Sequence, residues 1–372
     1  MNDEAPKKIS LLAPFRDHAE SEDPYAAYEA ARRTDPSDLP RGGEGPLDGG
    51  AGLDSAPRPR RAYGWTSNDG VRGLIKYASN PTKRVPTGLF QLDNLIGGGV
   101  GLGEVCVIVG KSGSGKSLVG QNMVENNLDI PTVFFSFEMP GTMLLTRSIA
   151  MWSGKTHDQV FQMVEGNDLD PEMLADWEDS HRNSYFVTRT GLDLSAMSQT
   201  LKEAEDAIGA RPALVVIDYM ELVASVAGGD TIDNVTSVAQ ALKGWAKEEE
   251  VACVILHQTN KSLRHGDAPD EDSARYGGFT EADIVIGVWR PHKWSPKNKG
   301  DVIMPQSTID YLRGYFGINL IKNRPKIDLH EQGYLVPVTP AGKTLAPKGT
   351  VLANVVPPGG GSFATGGGGS PF

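Results

Sequence analysis

The stretch Gly110-Lys111-Ser112-Gly113-Ser114-Gly115-Lys116-Ser117 fits the pattern G-x-x-x-x-G-K-[ST] at every position. The residues before it, Val105-Cys106-Val107-Ile108-Val109, form an unbroken apolar run, as in a strand buried on both faces. Those after it, Leu118 to Val124, read as a helix. Strand, glycine-rich turn and helix in this order make a phosphate cradle. The glycines let backbone N–H groups converge on phosphate oxygens, and the helix N-terminus adds partial positive charge. Lys116 is expected to reach the β- and γ-phosphates, and the Ser117 hydroxyl to ligate a magnesium ion. All eight residues are therefore assigned to nucleotide binding, with ATP and Mg²⁺ as the ligands.

Working outward, further apolar β-rich runs lie at residues 132–139, 213–218, 251–257, 282–289 and 316–322. Amphipathic stretches separate several of them, among them 117–126 and 236–248. Near-continuous strands alternating with helices define an α/β fold with a mostly parallel central sheet covered on both faces. Two of the runs end in an acid. Ala213-Leu214-Val215-Val216-Ile217-Asp218 closes on a carboxylate that is costly to bury without a cation, so Asp218 is the expected partner of Mg²⁺. Val133-Phe134-Phe135-Ser136-Phe137-Glu138 closes on a second. Its strand is expected beside the phosphate-loop strand, which would set Glu138 next to the γ-phosphate to orient and deprotonate water.

Composition bounds the rest. The 372-residue chain carries 44 glycines and 25 prolines, so part of it is expected to lie outside any packed core. Residues 36–60 are Pro or Gly at 11 of 25 positions and residues 357–372 at 10 of 16, which excludes regular elements there. The expected organisation is a disordered arm over 1–62, a linker over 63–84, the ATPase core over 85–340 and a flexible tail over 341–372. Within the arm, Pro24 to Arg33 reads as a short helix, either a docking face built on Tyr25 and Tyr28 or a transient turn. The tail ends in Ser370-Pro371-Phe372, a tip that would suit a partner protein.

The net charge of −11 is concentrated in the core, where residues 63–340 hold 25 basic and 35 acidic side chains. That balance excludes a broad nucleic-acid-coating surface but not a narrow basic groove. Cys106 and Cys253 both sit in apolar runs and suit neither a disulfide framework nor a zinc site. No leader sequence or membrane-spanning run is apparent, so a cytoplasmic protein is expected.

Beyond the phosphate loop, Ser136-Phe137-Glu138-Met139 is similar to the Ser-Leu-Glu-Met motif of DnaB-type replicative helicases, whose motor is a RecA-like ATPase core. The resemblance continues in order along the chain. Thr87-Gly88-Leu89-Phe90-Gln91-Leu92-Asp93 resembles the family's lead-in to the core, and Ile217-Asp218-Tyr219-Met220-Glu221-Leu222 its Ile-Asp-Tyr-Leu-Gln-Leu. Leu242-Lys243 with Ala246-Lys247 resembles its helix of Leu-Lys and Ala-Lys pairs. Gln258 with Asn260-Lys261 resembles its Gln-x-Asn-Arg, Ala282-Asp283 its Ala-Asp, and Lys322-Asn323-Arg324 its Lys-Asn-Arg. Departures are Glu221 for glutamine, His257 for serine, as in small plasmid replication helicases, and Pro325 after the last motif. Gly97 to Gly103 instead resembles the glycine-rich lead-in of RadA-type recombination ATPases. The arm over 1–62 occupies the place of the family's helical N-terminal domain.

The resemblance implies an ATP-driven helicase or translocase on single-stranded DNA, assembled as a hexameric ring of identical subunits, in the replication of a genome such as a phage's. It implies that Glu138 is the catalytic base and that Gln258 senses the γ-phosphate. Lys322 and Arg324 would reach the ATP of a neighbouring subunit as a lysine and arginine finger. Nucleic-acid loops are expected at 224–234 and 260–281, the second offering Lys261, Arg264 and Arg275, and replication partners would dock on the tails. Two other classes compete: a RadA-like ATPase that remodels strands without unwinding, and a KaiC-like regulatory scaffold. Ser136 to Met139 favours the helicase over the first, and Glu138, Gln258 and Arg324 together argue against the second.

Overall fold

The structure is a computed structural model that describes residues 66–80, 82–218, 231–259, 263–273, 281–294, 304–325, 333–340, 342–343 and 353–354. The expected helix at 24–33, the tail from 357 onward and most of the loop at 224–234 lie outside the described residues. The chain divides into two compact units, Met1–Lys83 and Arg84–Phe372. The first contributes helix α1 (Ser67–Ser79), opened by a capping box between Thr66 and Asp69. It buries no residue, and its Leu74 and Tyr77 are exposed.

In the second unit the strands are β1 (Arg84–Val85), β2 (Val100–Gly101), β3 (Val105–Gly110), β4 (Thr132–Ser136), β5 (Ser184–Val187), β6 (Leu214–Asp218), β7 (Ala252–Gln258), β8 (Ile284–Trp289), β9 (Tyr315–Asn323), β10 (Gly333–Pro337) and β11 (Ala353–Asn354). Among the described residues, β1 pairs with β2, and the other nine form one sheet in the order β11-β10-β9-β8-β3-β7-β6-β4-β5. From β8 to β5 every pairing is parallel, and β9, β10 and β11 add an antiparallel flank.

All six residues of β3 are buried, as expected of a central strand. Alternate positions feed two cores, because side chains alternate across a strand. Cys106 and Ile108 pack with Val216, Val254, Leu256 and Ile286 under helix α3 (Lys116–Glu125) and helix α2 (Phe90–Leu95). Val105, Val107 and Val109 pack with Phe135, Ile217 and Ile255 under two helices on the other face, Leu194–Ile208 and Thr231–Glu249.

One expectation is corrected. The strand leading to Glu138 does not neighbour the phosphate-loop strand: β7 and β6 lie between β3 and β4. The chain leaves α3, skips two strand positions to form β4, and fills the gap later with β6 and then β7. At a spacing of about 4.8 Å per strand this sets β4 about 14 Å from β3. The space above β6 and β7, not direct adjacency, is what Glu138 and the phosphate loop share.

The motifs ahead of the phosphate loop are structural. Asp93 accepts hydrogen bonds from the Thr87 backbone N–H at 2.7 Å and the Thr87 hydroxyl at 2.8 Å, closing the loop into α2. The glycine-rich turn is clamped by Arg84, whose guanidinium donates to the Gly99 carbonyl at 2.9 Å and forks onto Glu104 at 3.0 and 2.8 Å. A Cβ on Gly99 (φ +118°) would lie 2.1 Å from the Val85 carbonyl oxygen, so glycine is needed there for close backbone approach.

Candidate active site

The phosphate loop leaves β3 at Gly110 and enters α3 at Lys116. Gly113 and Gly115 take left-handed conformations, with φ of +73° and +102°. A Cβ on Gly115 would lie 2.2 Å from the Phe316 ring beneath it. The Ser114 N–H donates to the Lys111 carbonyl at 3.0 Å and closes the turn. Lys116 folds back over it, its ammonium donating to the carbonyls of Gly110 at 2.8 Å and Lys111 at 3.2 Å. This buried cation is held at the mouth of the cradle by neutral acceptors, which a phosphate would replace with charge-assisted bonds. Ser112 is exposed at the tip, and Lys111 donates to the Leu263 carbonyl.

Asp218 ends β6 with 1% of its surface exposed. Ser117 lies close enough to act on its carboxyl, so the two residues expected at a metal are neighbours. Burial is the largest influence on its carboxyl and pushes the pKa up to about 6; Glu138 raises it too, while the Ser117 hydrogen bond, Lys116 and Arg147 oppose the rise. Its Oδ2 is buried without a protein hydrogen-bond partner. A buried carboxylate with one oxygen unsatisfied, beside a hydroxyl and a phosphate cradle, fits Mg²⁺, which takes few protein oxygens and completes its shell with phosphate and water.

Glu138 is exposed just past β4, in a turn closed by a hydrogen bond from the Ser136 hydroxyl to the Met139 carbonyl at 3.1 Å. The Phe137 N–H donates to the Asp218 carbonyl at 2.7 Å, fixing this turn to the end of β6. Gln258 ends β7 directly opposite Gly110 in the parallel register, and the next N–H, of Thr259, donates to the Gly110 carbonyl at 3.3 Å. The structure thus brings Lys116, Ser117, Glu138, Asp218 and Gln258 to one end of the sheet.

It brings Arg147 there as well, a residue the motifs missed. Arg147 lies on helix α4 (Gly141–Ser153), donates to the Met139 sulfur at 2.8 Å and acts electrostatically on Asp218. Its helix is fixed to α3 by a hydrogen bond from the Ser148 hydroxyl to Glu125 at 2.6 Å and one from the Gln121 amide to the Leu144 carbonyl at 3.1 Å. One signal was present in the sequence: Arg147 is the sole ionisable residue in Gly141 to Ser153.

Lys322 and Arg324 are not at this end. β9 runs antiparallel to β8, with Lys322 opposite Val285, and the Arg324 N–H donates to the Asp283 carbonyl at 2.8 Å. Asp283 in turn pairs with Val105, where β3 begins. Five residues of parallel strand at about 3.3 Å each put the finger motif about 16 Å from Gly110 of its own chain.

Of the nucleic-acid candidates, Lys261 and Arg275 lie outside the described residues. Arg264 is half-buried and ion-paired with Asp267 at 3.1 Å. With Lys111, Ser114, His265, Arg290 and Lys293 it lines a cleft on the outer rim of the phosphate loop. Burial lowers the His265 pKa, and the charges of Lys111 and Lys293 lower it further.

A mostly parallel sheet with this strand order, the G-x-x-x-x-G-K-S loop leaving its central strand and a buried acid ending a strand two places away define a P-loop fold of RecA-like architecture. The family is more specific: residues 84–323 match the DnaB-like helicase C-terminal domain, and the chain belongs to that family. The chain is 30% identical over 216 residues to the replicative DNA helicase DnaB of Treponema pallidum, covering 55% of this chain and 48% of that protein. To the Helicobacter pylori (strain 26695) DnaB it is 26% identical, covering 61% and 48%. It therefore spans about half the length of the curated relatives it matches. Among solved structures, the ATPase domain of G40P superposes with a TM-score of 0.59 at 16% identity, over 75% of this chain and 98% of that one. A DnaB-like replicative helicase studied with primase superposes at 0.58, also at 16% identity, over 75% and 65%. At that identity the superpositions speak for the fold. Among the described residues no helix is long and apolar enough to cross a membrane.

Proposed function

We propose that this chain is the ATP-hydrolysing motor of a DnaB-type helicase, acting on single-stranded DNA in replication as a ring of identical subunits. The observation that carries this reading is the division of the catalytic set: base, metal acid and phosphate loop at one end of the sheet, finger cations at the other. Such a subunit is complete only when a second copy offers Arg324 to its nucleotide. Membership of the DnaB-like family and the exposed Leu74 and Tyr77 on α1 support assembly.

In this reading the N–H groups of 111–117 and the Lys116 ammonium hold the β- and γ-phosphates of ATP. Ser117 and Asp218 would hold Mg²⁺, which when bound offsets phosphate charge. Glu138 accepts a proton from the attacking water, and Arg147, facing the same carboxylates, balances their charge. Gln258 touches the γ-phosphate from the strand beside the cradle and passes its presence to the loop beginning at residue 260. Arg264 and its neighbours at the cradle rim contact the DNA backbone. Arg324 of the adjacent copy neutralises charge developing on the transferred phosphoryl group.

Strand displacement on a forked duplex with a single-stranded tail tests this. ATP-dependent unwinding, with ATPase activity stimulated by single-stranded DNA, is expected. DNA-stimulated hydrolysis without displacement on any fork would favour strand remodelling instead.

A further inference from the structure

Two motifs singled out in the sequence, Leu242-Lys243 and Ala282-Asp283, have no role in the chemistry above, yet the structure joins them. Lys243, on the helix Thr231–Glu249, forms an ion pair with Asp283, the side chains being 12% and 13% exposed. The Lys243 ammonium also donates to the Gly103 carbonyl at 3.1 Å. Asp283 is engaged through both backbone polar groups and one carboxylate oxygen. Its Oδ2 accepts the Val105 N–H at 2.7 Å as well as the Lys243 ammonium. Its own N–H donates to the Val105 carbonyl at 2.9 Å, and its carbonyl accepts the Arg324 N–H at 2.8 Å. Within the same motif, the buried Asn323 donates to the Leu95 carbonyl at 3.0 Å. Lys322 lies in the field of Asp283, Glu281, Glu271 and Arg324.

A mostly buried ion pair is a poor source of stability, because desolvating both charges offsets their attraction. Lys243 lies on a helix whose Leu242, Trp245 and Ala246 belong to the core, and an apolar side chain in its place would carry no such desolvation cost. What the pair does provide is geometry. It fixes one residue, Asp283, to a helix, to the start of the phosphate-loop strand and to the backbone of Arg324. The helix also begins directly after residues 219–230, which follow Asp218.

We propose that the Lys243–Asp283 pair is the positioning device for the finger segment, fixing the base from which Lys322 and Arg324 reach the nucleotide of the neighbouring copy. The proposal rests on the in-trans reading of Arg324. Lys243 touches no nucleotide, and its defect should belong to the subunit that donates the finger, not to the one that binds ATP.

Complementation between full-length variants, dissociated and reassembled together, tests this. Lys243→Met should bind a fluorescent ATP analogue with parental affinity but turn over ATP about 10²-fold more slowly, the cost of a displaced catalytic group. Mixed with Glu138→Gln, which keeps its finger, it should regain activity; mixed with Arg324→Ala it should not. Arg324→Ala with Glu138→Gln is the control, and if that pair stays inactive the in-trans reading fails and the proposal falls with it. If the control recovers but Lys243→Met complements Arg324→Ala, or fails to complement Glu138→Gln, the positioning role alone is overturned. Should Lys243→Met not fold, Asp283→Asn, which keeps an oxygen for the Val105 N–H, carries the same three mixtures. Loss of folding in both variants would assign the pair to stability and likewise overturn the proposal.

Discussion

Glu138 and Arg324 leave opposite ends of one sheet. Glu138 follows the C-terminal end of β4, fixed to β6 through the bond between Phe137 and Asp218, whereas Arg324 follows β9 where that strand pairs with the beginning of β8. No rotamer of Arg324 spans the length of the intervening strands. A γ-phosphate held beside Glu138 in one subunit is therefore out of reach of that subunit's own Arg324. Under the proposed in-trans reading this arrangement makes assembly a condition of catalysis, and the predictions below follow from that reading and from the site around Asp218.

Lys116→Ala should lose nucleotide binding or turnover and keep its fold, since the ammonium contacts loop carbonyls and not the apolar core. Binding of a fluorescent ATP analogue together with circular dichroism checks both halves. Hydrolysis at the parental rate would remove the phosphate loop from the account.

Glu138→Gln should bind ATP and Mg²⁺ with little change and hydrolyse ATP about 10²- to 10⁴-fold more slowly, the usual cost of losing a general base. Single-turnover rates at saturating ATP are the measurement. An unchanged rate would move the base elsewhere, with Glu221 the next residue to test.

Asp218→Asn should raise the melting temperature of the nucleotide-free protein while abolishing Mg²⁺-dependent turnover. The carboxyl's pKa of about 6 lies above the ordinary aspartate value of 3.8. Between these pH values the folded state keeps a proton that the unfolded state has released. The stability from this group is thus fully present below 3.8 and is lost as pH rises through 6. Nucleotide-free melting should fall over that window in the parent and lose this component in the variant. A lower melting temperature for Asp218→Asn at pH 7 would mean that the carboxylate is satisfied by a protein partner.

Gly115→Ala should disable the cradle without touching a phosphate-binding side chain. Its Cβ would meet the Phe316 ring at 2.2 Å on a backbone with φ of +102°. Substitutions of this kind cost more than about 1 kcal/mol. Thermal melting and ATP binding should both suffer, and parental values for both would show that the loop has another conformation.

Much of this was legible in the sequence. The phosphate loop, the acid ending β6 and the strands β3, β4 and β6 to β9 follow from buried apolar runs and local spacing, which depend on neighbours along the chain. Strand order does not: nothing in Val133 to Glu138 tells that β6 and β7 will later fill the gap beside β3. Arg147 was hidden because its partner is reached across a helix and a strand end, with only its isolation among uncharged residues as a sign. The strand β5, Ser184–Val187, is short and only partly buried, and so lacks the apolar run that marked the others. The Lys243–Asp283 pair joins motifs 40 residues apart that spacing alone cannot connect.

The most direct measurement of the central claim mixes Arg324→Ala with Glu138→Gln. Each alone should bind ATP and fail to turn it over at a useful rate. Reassembled together, some interfaces pair an intact Glu138 with an intact Arg324 from the next subunit. Loss of an arginine finger costs about 10³- to 10⁵-fold in phosphoryl transfer, so a small share of restored interfaces suffices for detection. The account predicts ATPase activity that appears only on mixing and grows with protein concentration and with single-stranded DNA. Two folded, subunit-exchanging variants that remain inactive at every mixing ratio would contradict it.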